Sequence, residues 1–253
     1  MADYPTETRF FDSFDGVSLA WHEMGEGFPV VLIHGFMSNA FTNWIRYGHA
    51  AKVAAKGFRV IMPDLRAHGE SAKPHAAAAY PKDVHASDGL ALVAHLGLTD
   101  YHLGGYSLGA RTTMRMLARG ATPGKVVLSG MGLDGMLDTN GRADHFRRIL
   151  GNLGTWERGS DEWYVEQFLK TTKSDPDALL STLDAFAGTP TAVMAAMDRP
   201  TLVLCGEDDF DNGSAADLAE LLPNAEYRTI PGNHMSAVIK KELGDELADF
   251  IGA

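Results

Sequence analysis

Tyr101-His102-Leu103-Gly104-Gly105-Tyr106-Ser107-Leu108-Gly109-Ala110-Arg111 is the stretch on which the fold turns. A short apolar run stops at paired glycines, a Gly-x-Ser-x-Gly pentapeptide follows, and a helical pattern runs from Leu108 to Ala118. Strand, sharp turn and helix in that order lift the serine hydroxyl out above the strands. Glycine at 105 and 109 has a steric reason. In so tight a turn, a side chain two residues either side of Ser107 would strike neighbouring backbone. The pentapeptide alone is moderately specific, because a serine that opens a helix also serves as an N-cap.

Outward from this turn, short apolar runs recur and stop at Gly or Pro. Val30-Val31-Leu32-Ile33 precedes His34-Gly35, Phe58 to Met62 precedes Pro63-Asp64, and Lys125 to Leu128 precedes Ser129-Gly130. Thr201 to Leu204 precedes Cys205-Gly206, and Glu226 to Ile230 precedes Pro231-Gly232. Such runs read as strands of a parallel sheet buried on both faces. Helical patterns such as Val84 to Leu96 are long enough to cross back between them. The expected fold class is therefore α/β, a mostly parallel, doubly wound sheet. The alternation breaks between Leu128 and Thr201, where helical patterns continue without a convincing strand. Residues 134–197 are expected to form a helical cap inserted into a core made of 1–133 and 198–253. The insertion carries Phe146, Trp156, Trp163, Tyr164 and Phe168.

Composition narrows the function classes. The chain has 253 residues, 45% of them hydrophobic and 22% charged, enough to bury a sizeable core. A formal charge of -11 argues against nucleic acid and anionic membrane as partners, since both need clustered Lys and Arg. Met1 to Arg9 has neither a basic nor an apolar segment of the secretory kind, and no apolar run approaches the roughly 18 residues of a membrane span. A soluble, cytoplasmic protein is expected. Cys205, the single cysteine, rules out an intrachain disulfide and reads as a buried inert thiol beside Thr201 to Leu204. No spacing of His, Cys and carboxylates marks a metal site, and no cofactor is expected.

A serine hydroxyl is a poor nucleophile near neutral pH, so Ser107 needs a histidine base and an acid to orient it. Of ten histidines, His234 in Pro231-Gly232-Asn233-His234 follows the last strand, at the carboxyl edge where such sites assemble. The acid is expected between nucleophile and base in chain order. Gly206-Glu207-Asp208-Asp209 offers three carboxylates, of which Asp209 is preferred and the other two read as solvated; Asp134 is a substitute position.

These stretches resemble, in order and over nearly the whole chain, the α/β-hydrolase superfamily. His34-Gly35-Phe36 resembles its oxyanion turn and Asp64-Leu65-Arg66-Ala67-His68-Gly69-Glu70-Ser71 its D-x-x-G-H-G-x-S loop, with Ala67 where glycine is usual. Gly105 to Gly109 resembles its nucleophile elbow, Gly206 to Asp209 its acid turn, and Asn233-His234 its base loop. The resemblance implies Ser107, Asp209 and His234 as catalytic residues and the backbone N–H groups of Phe36 and Leu108 as the oxyanion hole. It leaves His34 and His68 structural.

A site of that kind is built for acyl transfer, and the leading expectation is hydrolysis of a small carboxylic ester or lactone through an acyl-enzyme. The serine at 107 sets the chain apart from the dehalogenases and epoxide hydrolases of the superfamily, which use aspartate there. C–C bond hydrolases share the triad. Gly105 to Arg111 also resembles the elbow of menaquinone-pathway lyases, in which Arg111 would meet a substrate carboxylate, although a structural salt bridge is its plainer use. A ligand sensor retaining the triad is a third class. Met131, Met136, Trp156 and Trp163, with Phe146, are candidates for an apolar substrate pocket under the cap.

Overall fold

The computed structural model describes residues 6–137 and 140–253. Residues 1–5, where the reading of the chain's start begins, and 138–139, inside the expected insertion, lie outside the described residues.

Eight strands form one sheet: β1 (Glu7–Asp12), β2 (Ser18–Met24), β3 (Phe28–Ile33), β4 (Phe58–Pro63), β5 (His102–Tyr106), β6 (Val126–Ser129), β7 (Thr201–Gly206) and β8 (Ala225–Ile230). Their order is β1-β2-β4-β3-β5-β6-β7-β8. Every pairing from β4 to β8 is parallel, and β2 runs antiparallel to both of its neighbours. Each run expected to be a strand lies in this sheet. The first two strands are additions. Most of β1 is exposed at the sheet's edge, so it lacks the continuous apolar run that marks the inner strands.

The inner strands are apolar throughout because both faces are covered. Along β3, Val31 and Ile33 point to one face, where they join Ile61, Leu103, Leu92 and Met116. Val30 and Leu32 point to the other, where they join Val60, Met62, Trp44, Leu243 and Leu247. The first face is covered by α2 (Val84–His95) and α3 (Leu108–Ala118), the second by α1 (His49–Ala54) and α11 (Lys241–Gly252). A further helix, α9 (Ala215–Leu221), packs on β7 and β8. Between β6 and β7 lie α4 (Leu133–Leu137), α5 (Asn140–Leu150), α6 (Asp161–Thr172), α7 (Pro176–Leu183) and α8 (Thr191–Met194), with no strand among the described residues. The shortest helix of the fold to matter below, α10 (His234–Ala237), follows β8.

Strand β5 lies between β3 and β6, deep in the parallel part of the sheet, and turns at once into α3. The turn is crowded on both sides. A Cβ on Gly105 would come within 2.3 Å of the Gly109 backbone, and one on Gly109 within 2.0 Å of the Ile33 carbonyl oxygen. Backbone cannot yield as a flexible side chain does, so Gly109→Ala is expected to cost about 3 kcal/mol of unfolding free energy. Urea denaturation checks this, and a loss below about 0.5 kcal/mol, within the range of neutral surface changes, would contradict the close approach.

Candidate functional site

Ser107 sits at φ 55 and ψ −113, a backbone conformation costly for a residue with a Cβ. Its neighbours hold it there. The Ser107 N–H donates to the Ser129 carbonyl of β6 at 2.8 Å, and its own carbonyl accepts the Arg111 N–H of α3 at 3.1 Å. The hydroxyl makes no capping bond to the helix it precedes. Instead Ser107 Oγ lies 3.0 Å from His234 Nε2.

His234 opens α10 and is largely buried. Asn233 caps that helix: its side chain accepts the Ser236 N–H at 3.0 Å, while Ser236 Oγ accepts the Asn233 N–H at 2.9 Å. The Tyr106 hydroxyl, from the turn itself, donates to the His234 carbonyl at 2.6 Å. The base loop is thereby tied to the elbow. On the far side of the imidazole, Nδ1 lies 2.9 Å from Asp209 Oδ2. A carboxylate can only accept there, so Nδ1 carries the proton and Nε2 presents its lone pair to Ser107. Asp209 Oδ1 also accepts the Asp211 N–H at 3.3 Å. Of the three carboxylates after β7, Glu207 and Asp208 are exposed and Asp209 is buried. Asp134 is exposed on α4, against the turn at Gly213.

Beside Ser107 runs the His34-Gly35-Phe36 turn, close enough that a Cβ on Gly35 would lie 3.4 Å from the Ser107 Cβ. Both peptide units flanking Gly35 are pinned. Its carbonyl accepts from His34 Nδ1 at 2.8 Å and from the Ser38 N–H at 3.1 Å, and its own N–H donates to Asn43 Oδ1 at 3.1 Å. The Gly35 carbonyl and the Phe36 N–H share one planar unit, so holding the first aims the second the opposite way. Leu108 is the first residue of α3, and an N–H in that position has no acceptor within its own helix.

Behind Phe36, three buried histidines lie in a row: His34 is tilted against His68 with ring centroids 5.1 Å apart, and His68 meets His85 edge-on at 6.3 Å. The Leu65 N–H donates to His34 Nε2 at 3.0 Å, which fixes the tautomer whose Nδ1–H reaches Gly35. Burial lowers the pKa of all three, that of His68 far down and that of His85 to about 3. They are neutral supports. Ala67, in the neighbouring loop, takes the left-handed φ of 71 that glycine adopts more easily.

Ser107 and His234 open into a cleft of about 640 Å³, the space open to solvent at its mouth included. Its walls are Gly35, Phe36, Ser38, Thr42, Asn43, Tyr47, Tyr106, Phe168, Met235, Val238 and Ile239, with no Lys, Arg, Asp or Glu among them. Tyr47, Met235 and Ile239 are 37%, 49% and 47% exposed, which leaves an apolar rim. Phe168 of α6 is the contribution of the 134–197 stretch to these walls. The five residues expected to line an apolar pocket are not among these walls, and Phe146 packs on the Phe36 ring with centroids 4.8 Å apart. Met131 and Met136 are sealed in a core cluster with Ala110, Met114, Leu128 and Leu218. Trp156 donates from Nε1 to the Ile149 carbonyl at 3.3 Å with the Arg148 guanidinium over its ring, and Trp163 packs edge-on against Tyr164. Arg111 donates twice to the Gly135 carbonyl, at 3.0 and 2.8 Å, and covers the Phe186 ring. Tyr47, Asn43 and Met235 escape the sequence reading, although each lies within a dozen residues of a motif in it, and Tyr106 stands inside the elbow without being singled out.

Among the described residues, no group of three or more His, Cys, Asp and Glu is placed to hold a metal ion, and no helix is long and apolar enough to cross a membrane.

The profile of the alpha/beta hydrolase family matches residues 30–249. A non-heme haloperoxidase of Rhodococcus erythropolis is 26% identical, over 96% of this chain and 98% of its own length. Among solved structures, an esterase from Exiguobacterium antarcticum superposes with a TM-score of 0.79 at 17% identity, covering 98% of this chain and 100% of that one. The esterase RhEst1 from Rhodococcus sp. ECU1013 gives 0.75 at 24% identity, covering 97% and 98%.

The three buried histidines carry a pH signature. Their folded pKa values lie below the unfolded value near 6.5, so between the two the unfolded chain binds more protons and stability rises with pH. The stabilisation is complete above about pH 6.5 and is lost as the pH falls below it, for His85 down to about pH 3, at up to about 1.4 kcal/mol per pH unit for each histidine. Denaturation of His85→Leu between pH 7 and 5 is expected to show a shallower slope than the parent protein. Equal slopes would contradict a neutral, buried His85.

Proposed function

From the premise that the chain belongs to the alpha/beta hydrolase family, we propose that it is a serine hydrolase that cleaves small, uncharged carboxylic esters or lactones through an acyl-enzyme. The observation that carries this reading is the unbroken relay from Asp209 through His234 to Ser107, at 2.9 and 3.0 Å, ending on the strained elbow. In this reading Ser107 Oγ attacks the substrate carbonyl as its proton passes to His234 Nε2, and Asp209 stabilises the imidazolium. The Phe36 and Leu108 N–H groups receive the developing oxyanion; one such donor is worth about 3–4 kcal/mol of barrier. Collapse of the tetrahedral intermediate expels the alcohol, which takes its proton from His234. Water, deprotonated by the same imidazole, then attacks the acyl carbonyl and frees Ser107.

The substrate class follows from the cleft. Walls without a charged side chain favour an apolar acyl or alcohol group and disfavour an anionic substrate, whose buried charge would lack a partner. Arg111, the residue a lyase reading needs for a carboxylate, is engaged with Gly135 and Phe186. Residues 134–197 act as the cap: Phe168 reaches the cleft, and Phe146 and Phe186 pack on Phe36 at 4.8 and 5.7 Å. These rings cover the Phe36 side chain beside the cleft.

Full-length similarity to the R. erythropolis haloperoxidase favours a second reading, peroxide-dependent halide oxidation. Bromination of a phenol with peroxide and bromide reads that activity, and its loss in Ser107→Ala would tie it to the same serine.

The test of the main reading is steady-state hydrolysis of p-nitrophenyl acetate and butyrate beside an ester carrying a free carboxylate. Turnover of the neutral esters is expected to exceed that of the charged one at least tenfold in kcat/KM. Ser107→Ala is expected to lower kcat by about 10⁴-fold or more. Parent-like hydrolysis by Ser107→Ala would remove the nucleophile assignment.

A further inference from the structure

The wall of the cleft holds a polar group that the relay does not use. Asn43 is 2% exposed, lies beside Ser107 in the cleft wall, and accepts the Gly35 N–H through Oδ1. Its Nδ2 is buried without an acceptor among the described residues. An unpaired buried donor is a cost that an apolar residue would avoid, and retaining it calls for a reason. The backbone around it is unusual as well. Residues Phe41–Ile45 form a wide helical turn closed by the Arg46 N–H on the Phe41 carbonyl at 2.8 Å, a ring one residue larger than an α-helical one. That geometry turns the adjacent side chains Asn43 and Trp44 inward together, and such turns concentrate at functional sites.

We infer that Asn43 is the positioning residue of the oxyanion turn, an inference that rests on the Ser107 reading. The Gly35 N–H is engaged by Asn43 Oδ1, and the Gly35 carbonyl is held by His34 and Ser38. Together these bonds leave the Phe36 N–H as the donor from this turn for a substrate oxygen. The choice of asparagine then has an electrostatic reason. The turn needs an acceptor for Gly35, and aspartate would supply one of the same shape. An aspartate, however, would place a negative charge against the site where the oxyanion's own charge develops. A neutral carboxamide accepts the hydrogen bond without opposing that charge, and its unpaired Nδ2 is the consequence.

Two variants test this, each measured on p-nitrophenyl butyrate with active sites counted by fluorophosphonate titration, so that kcat refers to folded protein. Asn43→Ala frees the Gly35–Phe36 turn; kcat is expected to fall about 100-fold with KM changing less than about threefold, since the oxyanion forms after binding. Asn43→Asp keeps the acceptor; its kcat relative to the parent protein is expected to be lowest at pH 8 and to recover toward pH 5 as the carboxyl takes up a proton. A purely structural Asn43 would lower the melting temperature while leaving kcat per titrated site and the relative pH profile flat, and that result would overturn the inference. Ser107→Ala is run alongside. Its inactivity combined with unchanged Asn43 variants overturns the positioning role alone, whereas an active Ser107→Ala overturns both readings.

Discussion

The geometry of the site depends on a single strained residue. Ser107 is held in a backbone conformation that favours glycine because β5 ends between two parallel neighbours and must become α3 within one residue. The strain is supported from both sides, by the Ser129 carbonyl that accepts its N–H and by the Arg111 N–H that bonds its carbonyl. Around that point the rest converges. The same turn supplies the Leu108 N–H, the Tyr106 hydroxyl that ties down the His234 backbone, and the surface against which Gly35 rests. A conformation costly in isolation persists because many independent contacts specify it.

A second level of support comes from the neutral ring of His34 and the buried carboxylate of Asp64. His34 donates to Gly35 from Nδ1 because the Leu65 N–H occupies its other nitrogen, and burial keeps the ring uncharged. Asp64 contributes at a distance. Burial would raise its pKa, but the hydrogen bonds from His22 and from the backbone N–H groups of Ala40 and Glu70 outweigh that and hold it below the usual value. Its carboxylate therefore knits the loop after β4 to the segment that follows the Gly35 turn. In the proposed reaction the developing oxyanion would meet oriented backbone dipoles in a cleft whose walls carry no Lys, Arg, Asp or Glu.

Much of this was legible in the sequence, and the physical reason is locality. Strands buried on both faces leave runs such as Val30 to Ile33, and a sharp turn leaves glycines at fixed offsets, so the parallel sheet and the elbow can be read from a few neighbouring residues. The contacts among Ser107, His234 and Asp209 join distant parts of the chain, yet each sits at the end of a strand, where the fold class alone predicts convergence. What escaped depends on direction rather than position. Edge strand β1 has no apolar signature because solvent covers it. Met131, Met136, Trp156 and Trp163 have the composition of a pocket, but the methionines face a core, Trp156 bonds back to α5 and Trp163 packs on Tyr164 of its own helix. Phe168 of the same insertion points into the cleft, and nothing in the spacing distinguishes it from them. Asn43 and Tyr47 were hidden because the wide turn that aims Asn43 departs from the ordinary helical period.

The central claim is that Ser107 is the nucleophile and that the cleft around it does the chemistry. Its most direct test is covalent: treatment with one equivalent of a small alkyl fluorophosphonate, followed by peptide mass spectrometry and a parallel assay of ester hydrolysis. The account predicts one phosphonyl group per chain, on Ser107, with hydrolysis lost in proportion to labelling. Full hydrolysis by protein modified at Ser107, or inactivation by an adduct on another side chain, would contradict it.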